Sequence, residues 1–568
     1  MAQENKTFLQ QKLIKLKREA EEREAQRIAQ KFGLPYIDLS KAPVQIVALG
    51  LIDEAGAKDA MFAALERKRD NVAVAVVDPD KKETKAILKK LERQNLKIKL
   101  FVGSLSGLKH VWSFYKFVPK KETEITGRVD IEKKELEELR KKIKGLAALK
   151  KELEKFDYKK RSTAELFETI LAGALSSRAS DIHFEAETDH VKFRLRVDGV
   201  LHDIFNLDSQ EYGFLLSRVK LLSKLKLNVV TEAQDGRFTI RADENEIEIR
   251  TSVIPSEYGE TVVMRVLDPA AIQLTLVDLG LRNDDLEIAK REFSKPNGMI
   301  LNTGQTGSGK TTTLYAFLRT VNKPEIKVIT IEDPIEYHLE GIEQTQVDPA
   351  AGYSFVNGLR SILRQDPDVI LVGEVRDLET AEIAMHAALT GHLVFSTLHT
   401  NDAVGAIPRL VDLGVRPSII GPALNLVIAQ RLLRRLCDEC KKPVKMDAAF
   451  QKKVSTFLSK MPPRVDGRQY EKATIYEAVG CDRCGDMGYK GRIGVFELLE
   501  VDKELEELVY KEATEAAIKR VADKRGMVTM QADGILKVLS GITDFKEVER
   551  VTGKIIDLWV SSRPFGSE

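Results

Sequence analysis

Eight consecutive residues, Gly304-Gln305-Thr306-Gly307-Ser308-Gly309-Lys310-Thr311, have the types and spacing to hold a polyphosphate. The glycines let backbone N–H groups turn inward around phosphate oxygens, and a following helix N-terminus adds partial positive charge. Lys310 is spaced to reach β and γ oxygens, the Thr311 hydroxyl to ligate Mg²⁺, and Thr312 completes the first turn of the nucleotide-binding set. The apolar MILN before these residues and the helix-forming TTTLYAF after them complete a strand, loop and helix, the arrangement of a P-loop.

Cleaving a triphosphate there also requires Mg²⁺ beside the β and γ phosphates, a water in line and positive charge for the transition state. Glu374 ends the apolar VILVGEV, where a strand carries a carboxylate to the phosphate side of a sheet. It follows Gly373 where the commoner pattern has Asp, which favours water-mediated over direct contact with Mg²⁺. Glu332 in TIEDP is the candidate for polarising the attacking water, with Asp333 either its helper or part of a turn at Pro334. Histidines are scarce, eight in 568 residues, yet His392 and His399 bracket the strand-like LVFSTL. Either both are structural, or at least one senses γ-phosphate or bonds Glu374. Cys437, Cys440, Cys481 and Cys484 form two CxxC pairs about forty residues apart, which offers four thiolates to a tetrahedral Zn²⁺. Free thiols are the alternative. A filled site of this kind holds structure and performs no chemistry.

Positioning these groups requires alternating strands and helices. MILNTG, KVITIED, VILVGEV and LVFSTLHT, separated by helical segments, predict a parallel sheet wrapped on both faces over 273–436, with ligand groups at the strands' carboxyl ends. The preceding stretch, 161–272, reads as an α+β unit with an antiparallel or mixed sheet bearing Arg194, Arg196, Arg237, Arg250 and Arg265. Each arginine singly reads as a solvated sheet face; together they are candidates for charge supplied to a phosphate. Residues 1–120 predict a leading polar helix, with Leu9, Leu13 and Leu16 on one side, and a small α/β domain. In 121–160, Leu136, Leu139, Ile143, Leu146, Leu149 and Leu153 recur by threes and fours, as in a charged helical linker, a short coiled coil or a surface helix. Residues 437–491 are the tetracysteine subdomain and 492–568 a helical C-terminal region.

The length implies three or four domains, and a net charge of +2 with 31% charged residues argues against a protein that coats nucleic acid. No apolar run reaches the roughly 18 residues of a membrane span, and the charged N-terminus is unlike a secretory signal. A cytoplasmic chain that reaches the membrane only through a partner is the expectation.

Together, GQTGSGKTTTLYA, ITIEDPIEY, RQDPDVILVGEVRDLETAEIA and ALTGHLVFSTLHTNDA, with RASDIHFE and RLRVDGVL upstream and GYKGRIGVFELL downstream, resemble the secretion and traffic ATPases that power type IV pilus assembly and type II secretion. The resemblance is dense from Ser162 to Leu499. It implies a RecA-like core after a PAS-like domain, homo-hexamers, and ATP held between these two domains with Mg²⁺. By motif it places the catalytic glutamate on Glu332, the Walker B glutamate on Glu374, the histidine-box residues on His392 and His399, and nucleotide-reaching arginines on Arg194 and Arg196, with Arg237 a further candidate. Partners would be an inner-membrane platform protein and, indirectly, pilins. The zinc module and long N-terminal extension favour an assembly or secretion motor over a retraction motor. FGLPYIDLS resembles an N-terminal domain that binds cyclic di-GMP in some members; no RLGxxL-type repeat precedes it here, which favours docking to a membrane partner. A DNA-translocating ATPase and a non-hydrolysing nucleotide-binding scaffold are the competing readings.

Overall fold

A computed structural model describes residues 2–555 apart from 69–70, 94–95, 118–127, 131–137, 140–141, 144, 159, 243–244, 270–272 and 472. The chain divides into two compact units, Met1–Leu267 and Asp268–Glu568.

The first unit opens with the helix Ala2–Phe32, whose Ala25 and Ala29 are buried with Val102. Its Glu22 accepts hydrogen bonds from Tyr36 and Ser104, and its Glu21 from the Ser106 amide. The alternating NVAVAV and KIKLFV become β2 (Asn71–Val76) and β3 (Lys97–Val102), parallel to each other, with β1 (Phe62–Lys68) antiparallel on the other side of β2. A second sheet holds β4 (Arg128–Asp130), β5 (Ala179–Ala186), β6 (Val191–Val197), β7 (Val200–Leu207), β8 (Gln234–Ala242), β9 (Asn245–Ser256) and β10 (Gly259–Leu267). Their order is β4-β8-β9-β10-β5-β6-β7, antiparallel throughout except β4 on β8. Strict alternation in VKFRLRV buries Val191, Phe193, Leu195 and Val197 and turns Arg194 and Arg196 to the other face.

The stretch expected to be wholly a helical linker departs from that expectation. Val129 pairs with Ile240 as part of edge strand β4, and the helix Leu146–Glu154 buries Leu146, Leu149 and Leu153. Leu149 fills the space where a side chain on Gly173 would sit, its Cδ1 only 2.5 Å from the Cβ position. The leucine spacing therefore marks a packed face and not a coiled coil; Leu136 lies outside the described residues.

The second unit is built on β11 (Gly298–Thr303), β12 (Val328–Glu332), β13 (Glu343–Gln346), β14 (Val369–Val372), β15 (Leu393–Leu398) and β16 (Leu424–Leu436), followed by a small pair, β17 (Lys442–Val444) and β18 (Ile475–Glu477), and by β19 (Tyr489–Glu500). The main sheet runs β13-β12-β14-β15-β11-β16-β19, parallel except for β19. Every residue of β11, β12, β14 and β15 is buried, as continuous apolar strands covered on both faces should be. The region after the cysteines was expected to be helical, yet Tyr489–Glu500 is the seventh strand of the core, and the helices follow it. Among the described residues no helix is long and apolar enough to cross a membrane.

A buried ionic cluster ties the C-terminal helices to this core. Arg282 donates to Asp284, Asp285 and Asp533. Asp533, fully buried on the helix Met530–Leu539, also accepts from Lys537 at 2.6 Å and from the Phe496 amide of β19 at 2.9 Å. Arg464 reaches Asp284 and Asp285 from the segment between the cysteine pairs. Removing one partner of such a cluster leaves buried charge uncompensated. Asp533→Ala is expected to destabilise the second unit by about 3–5 kcal/mol, read from its denaturant midpoint.

Candidate nucleotide site and metal centre

The phosphate loop follows the central strand β11, at the carboxyl edge of the sheet. Gly304 has φ 153°, and a Cβ there would lie 2.5 Å from the Gln430 carbonyl oxygen, so only glycine lets the chain pass. Gly309, at φ 89°, caps the helix Lys310–Val321 in a left-handed conformation. Gln305, Thr306 and Gly307 are exposed, while Ser308 is buried with its Oγ lacking a hydrogen-bond partner. Lys310 Nζ donates to the carbonyls of Gly304 at 2.7 Å and Gln305 at 3.1 Å. Burial holds its ammonium below the usual lysine range, and the nearby Glu374 carboxylate offsets this only in part. A half-buried cation with incomplete counter-charge and an orphaned hydroxyl at a helix N-terminus suit an anion such as a polyphosphate. Thr311 and Thr312 are half-buried in the first helical turn.

Glu332 ends β12, buried at 4% exposure, with three donors on its carboxylate: Tyr315, Thr330 and Gln344. Asp333 beside it is exposed. Glu374 follows β14; Arg376 lies 2.5 Å from its Oε1 and His399 Nε2 3.6 Å from its Oε2. Thus Lys310, Glu374 and His399 come together at one edge. His392 does not join them. Parallel pairing sets Leu393 beside Gly298 and Leu398 beside Thr303, which leaves His392 at the amino end of β15, ~20 Å of strand from the loop. Its Nδ1 lies 2.9 Å from the Ala387 carbonyl oxygen and closes the end of the preceding helix. His399 is thus the histidine that lies beside Glu374, and the candidate catalytic role of His392 is corrected, since that residue stands at the opposite edge of the sheet.

Of the arginines in the first unit, Arg194 pairs with Asp203 at 2.7 Å and Glu185 at 3.3 Å, and Arg196 with Asp181 at 3.3 Å. Arg265 shares Asp181, while Arg237 and Arg250 both face Glu248.

The four cysteine sulfurs lie within 4.8 Å of one another. Cys437 to Cys481 and Cys440 to Cys484 are 3.9 Å, and Cys481 to Cys484 is 3.8 Å. Tetrahedral Zn–S bonds of about 2.3 Å require sulfurs ~3.8 Å apart, so the cluster fits a structural zinc. The amides of Cys481 and Gly488 both donate to Cys484 Sγ at 3.2 Å, as suits a thiolate. Pairing of Leu436 with Tyr489 brings the knuckles together, since one follows β16 directly and the other precedes β19.

Several contributors were not singled out from the sequence. Thr400, in the loop after β15, donates its amide to Thr303 Oγ1 at 2.9 Å, and Gln305 reaches Asn401 at 3.4 Å, which ties that loop to the phosphate loop. Gln430 underlies the phosphate loop and accepts from Asn302 at 3.2 Å. Tyr315 and Gln344 belong to the Glu332 cage. The string TLHTND announces Thr400; for the others no spacing signal exists, because their contacts arise only when β16, β13 and β12 are placed.

A glycine-rich phosphate loop on a parallel sheet, with two carboxylates at the same edge, defines a nucleoside triphosphatase of RecA-like fold. A family profile described as "Type II/IV secretion system protein" matches residues 157–550. The type II secretion system ATPase E of Vibrio cholerae is 45% identical over 68% of this chain and 75% of its own length. The type IV pilus assembly ATPase PilB of Myxococcus xanthus is 35% identical over 96% of this chain and 94% of its own. The solved structure of the Legionella pneumophila ATPase DotB matches with TM-score 0.50 and 23% identity over 70% of this chain and 97% of that one, a likeness of fold. The chain belongs to the type II/IV secretion system protein family and is an ATP-hydrolysing enzyme.

Lys310→Ala is expected to abolish ATP hydrolysis and weaken nucleotide binding, measured by phosphate release and by titration with a fluorescent nucleotide.

Proposed function

We propose that this chain is a hexameric motor for type IV pilus assembly, acting on pilins through an inner-membrane platform protein from the cytoplasmic side. The observation that carries this reading is coverage: similarity to the Myxococcus pilus assembly ATPase extends over 96% of the chain, including the region before residue 157. The type II secretion ATPase of Vibrio is more identical, at 45%, but aligns over 68%, and it supports the second reading, a type II secretion motor. A role on DNA finds no support in a net charge of +2.

In this proposal the loop residues Gly304 to Thr312 hold the triphosphate. Thr311 and Glu374 would hold Mg²⁺, which when bound neutralises charge between the β and γ phosphates. Glu332 polarises the attacking water, and Lys310 stabilises charge on the transferring group. His399, beside Glu374, relays the state of that carboxylate to the loop bearing Thr400. Arg194 and Arg196 supply further positive charge in the transition state. Cys437, Cys440, Cys481 and Cys484 hold one zinc that locks the far end of β16 and β19.

Deleting the gene in its host is expected to remove surface pili and leave secreted proteins unchanged; loss of secretion with pili intact would move the assignment to the second reading. Turnover unaffected by added DNA and lowered at least about a hundredfold, to a small residual rate, in Glu332→Gln is expected from the purified protein. Arg196→Ala should lower turnover while nucleotide affinity stays within about threefold, because charge felt mainly in the transition state affects rate more than binding. Metal analysis should find about one zinc per chain, lost in Cys481→Ser.

A further inference from the structure

An ionised carboxylate offers about four lone-pair positions, two on each oxygen. At Glu332 three of them are filled by the protein. Thr330 Oγ1 donates to Oε1 at 2.6 Å and Gln344 Nε2 to the same oxygen at 3.1 Å, while the Tyr315 hydroxyl donates to Oε2 at 2.5 Å. Among the described residues Oε1 is thus saturated, and Oε2 keeps one position open. The direction from which a water can be polarised is then set by the one donor on Oε2.

That donor stands on the helix Lys310–Val321, five residues after Lys310. Tyr315 is wholly buried and meets the Tyr337 ring edge-on, with centroids 6.5 Å apart. Burial, reinforced by the Glu332 charge, raises its pKa above the ordinary tyrosine range, so the hydroxyl keeps its proton and donates. The helix that presents Lys310 to the phosphates therefore also fixes the carboxylate. On the other oxygen, Gln344 carries the link outward: its Nε2 also donates to the Tyr337 carbonyl at 3.0 Å, and its Oε1 accepts from the Leu339 amide at 2.7 Å. The segment after Asp333-Pro334 is held by the same amide that holds Glu332.

We infer that Tyr315 is a positioning residue for hydrolysis, whose hydroxyl aims the single open lone pair of Glu332 at the attacking water and couples that aim to the phosphate-loop helix. The inference rests on the proposed role of Glu332. A merely structural role, satisfying a buried carboxylate, would show as lost stability with no dependence on Glu332 chemistry.

The test is a double-mutant cycle in the full-length protein, with ATP turnover, nucleotide affinity and melting temperature measured for Tyr315→Phe, Glu332→Gln and the pair. Tyr315→Phe is expected to lower kcat roughly 10- to 100-fold, as a misaimed reacting group does, with KM and nucleotide affinity within about twofold. The pair should be no slower than Glu332→Gln alone, because an aim has no value once the carboxylate is gone. Multiplying losses, or an unchanged kcat with only a lower melting temperature, would overturn the inference. Turnover retained in Glu332→Gln would instead remove the reading of Glu332 itself. Phe317→Leu, on the same helix and equally buried but packed against Phe293 and Phe395, should lower the melting temperature while keeping kcat within about threefold, and a loss beyond about tenfold there would also overturn the inference, because helix packing alone would then account for the rate, whatever the folding of Tyr315→Phe.

Discussion

Parallel strands deliver all their carboxyl ends to one edge of a sheet, and the second unit depends on that constraint. The phosphate loop leaves β11, Glu332 ends β12, Glu374 follows β14 and His399 follows β15. No single segment holds these groups; the register of four buried strands brings them to one edge. The same register excludes His392, because a residue that opens a parallel strand lies at the wrong edge whatever its side chain. Charge at this edge is organised accordingly. Lys310 is partly desolvated beside Glu374, Glu332 is caged by three donors, and Arg376 and His399 flank Glu374 from outside. In the proposed hydrolysis, groups held in this way would need little reorganisation at the moment of reaction.

The rest of the unit secures the far side of that sheet. β16 passes beneath the phosphate loop at Gln430, and β19 covers its outer edge. Glu497 on β19, buried and raised in pKa by that burial, accepts the amides of Ala403 and Met530, which joins the loop after β15 to the C-terminal helices. Arg434 repeats the device lower down, with Glu547 accepting its guanidinium at 2.8 Å and its ring neighbour Tyr489 4.0 Å away. These links run from the cysteine cluster to the phosphate loop through two neighbouring strands.

Much of this was legible in the sequence because the signals were local. A glycine-rich loop between a strand and a helix, a carboxylate closing an apolar run and a single CxxC knuckle each declare themselves within a dozen residues. What escaped was non-local. The strand character of GYKGRIGVFELLE is evident only once β16 offers a partner edge, and Arg128–Asp130 is too short to show a period at all. The leucine repeat around Leu149 has the same spacing in a coiled coil as on a packed helix face, and only Gly173 opposite decides between them. Likewise, nothing in the string TTTLYAF distinguishes Tyr315 from an ordinary core tyrosine; its role depends on Glu332 arriving from another strand.

The placement of β19 has a consequence for how the protein is made. The ribosome releases the thirteen residues of β16 well before the strand that covers them, because the whole cysteine-bearing insertion lies between. Until Tyr489 emerges, a long apolar edge with free amides and carbonyls faces solvent, the kind of surface on which nascent chains pair with one another. In the proposed zinc-bound form, a metal that closes the knuckles early would bring the two strand ends together at the moment the second is born, which would make zinc supply during translation a determinant of yield.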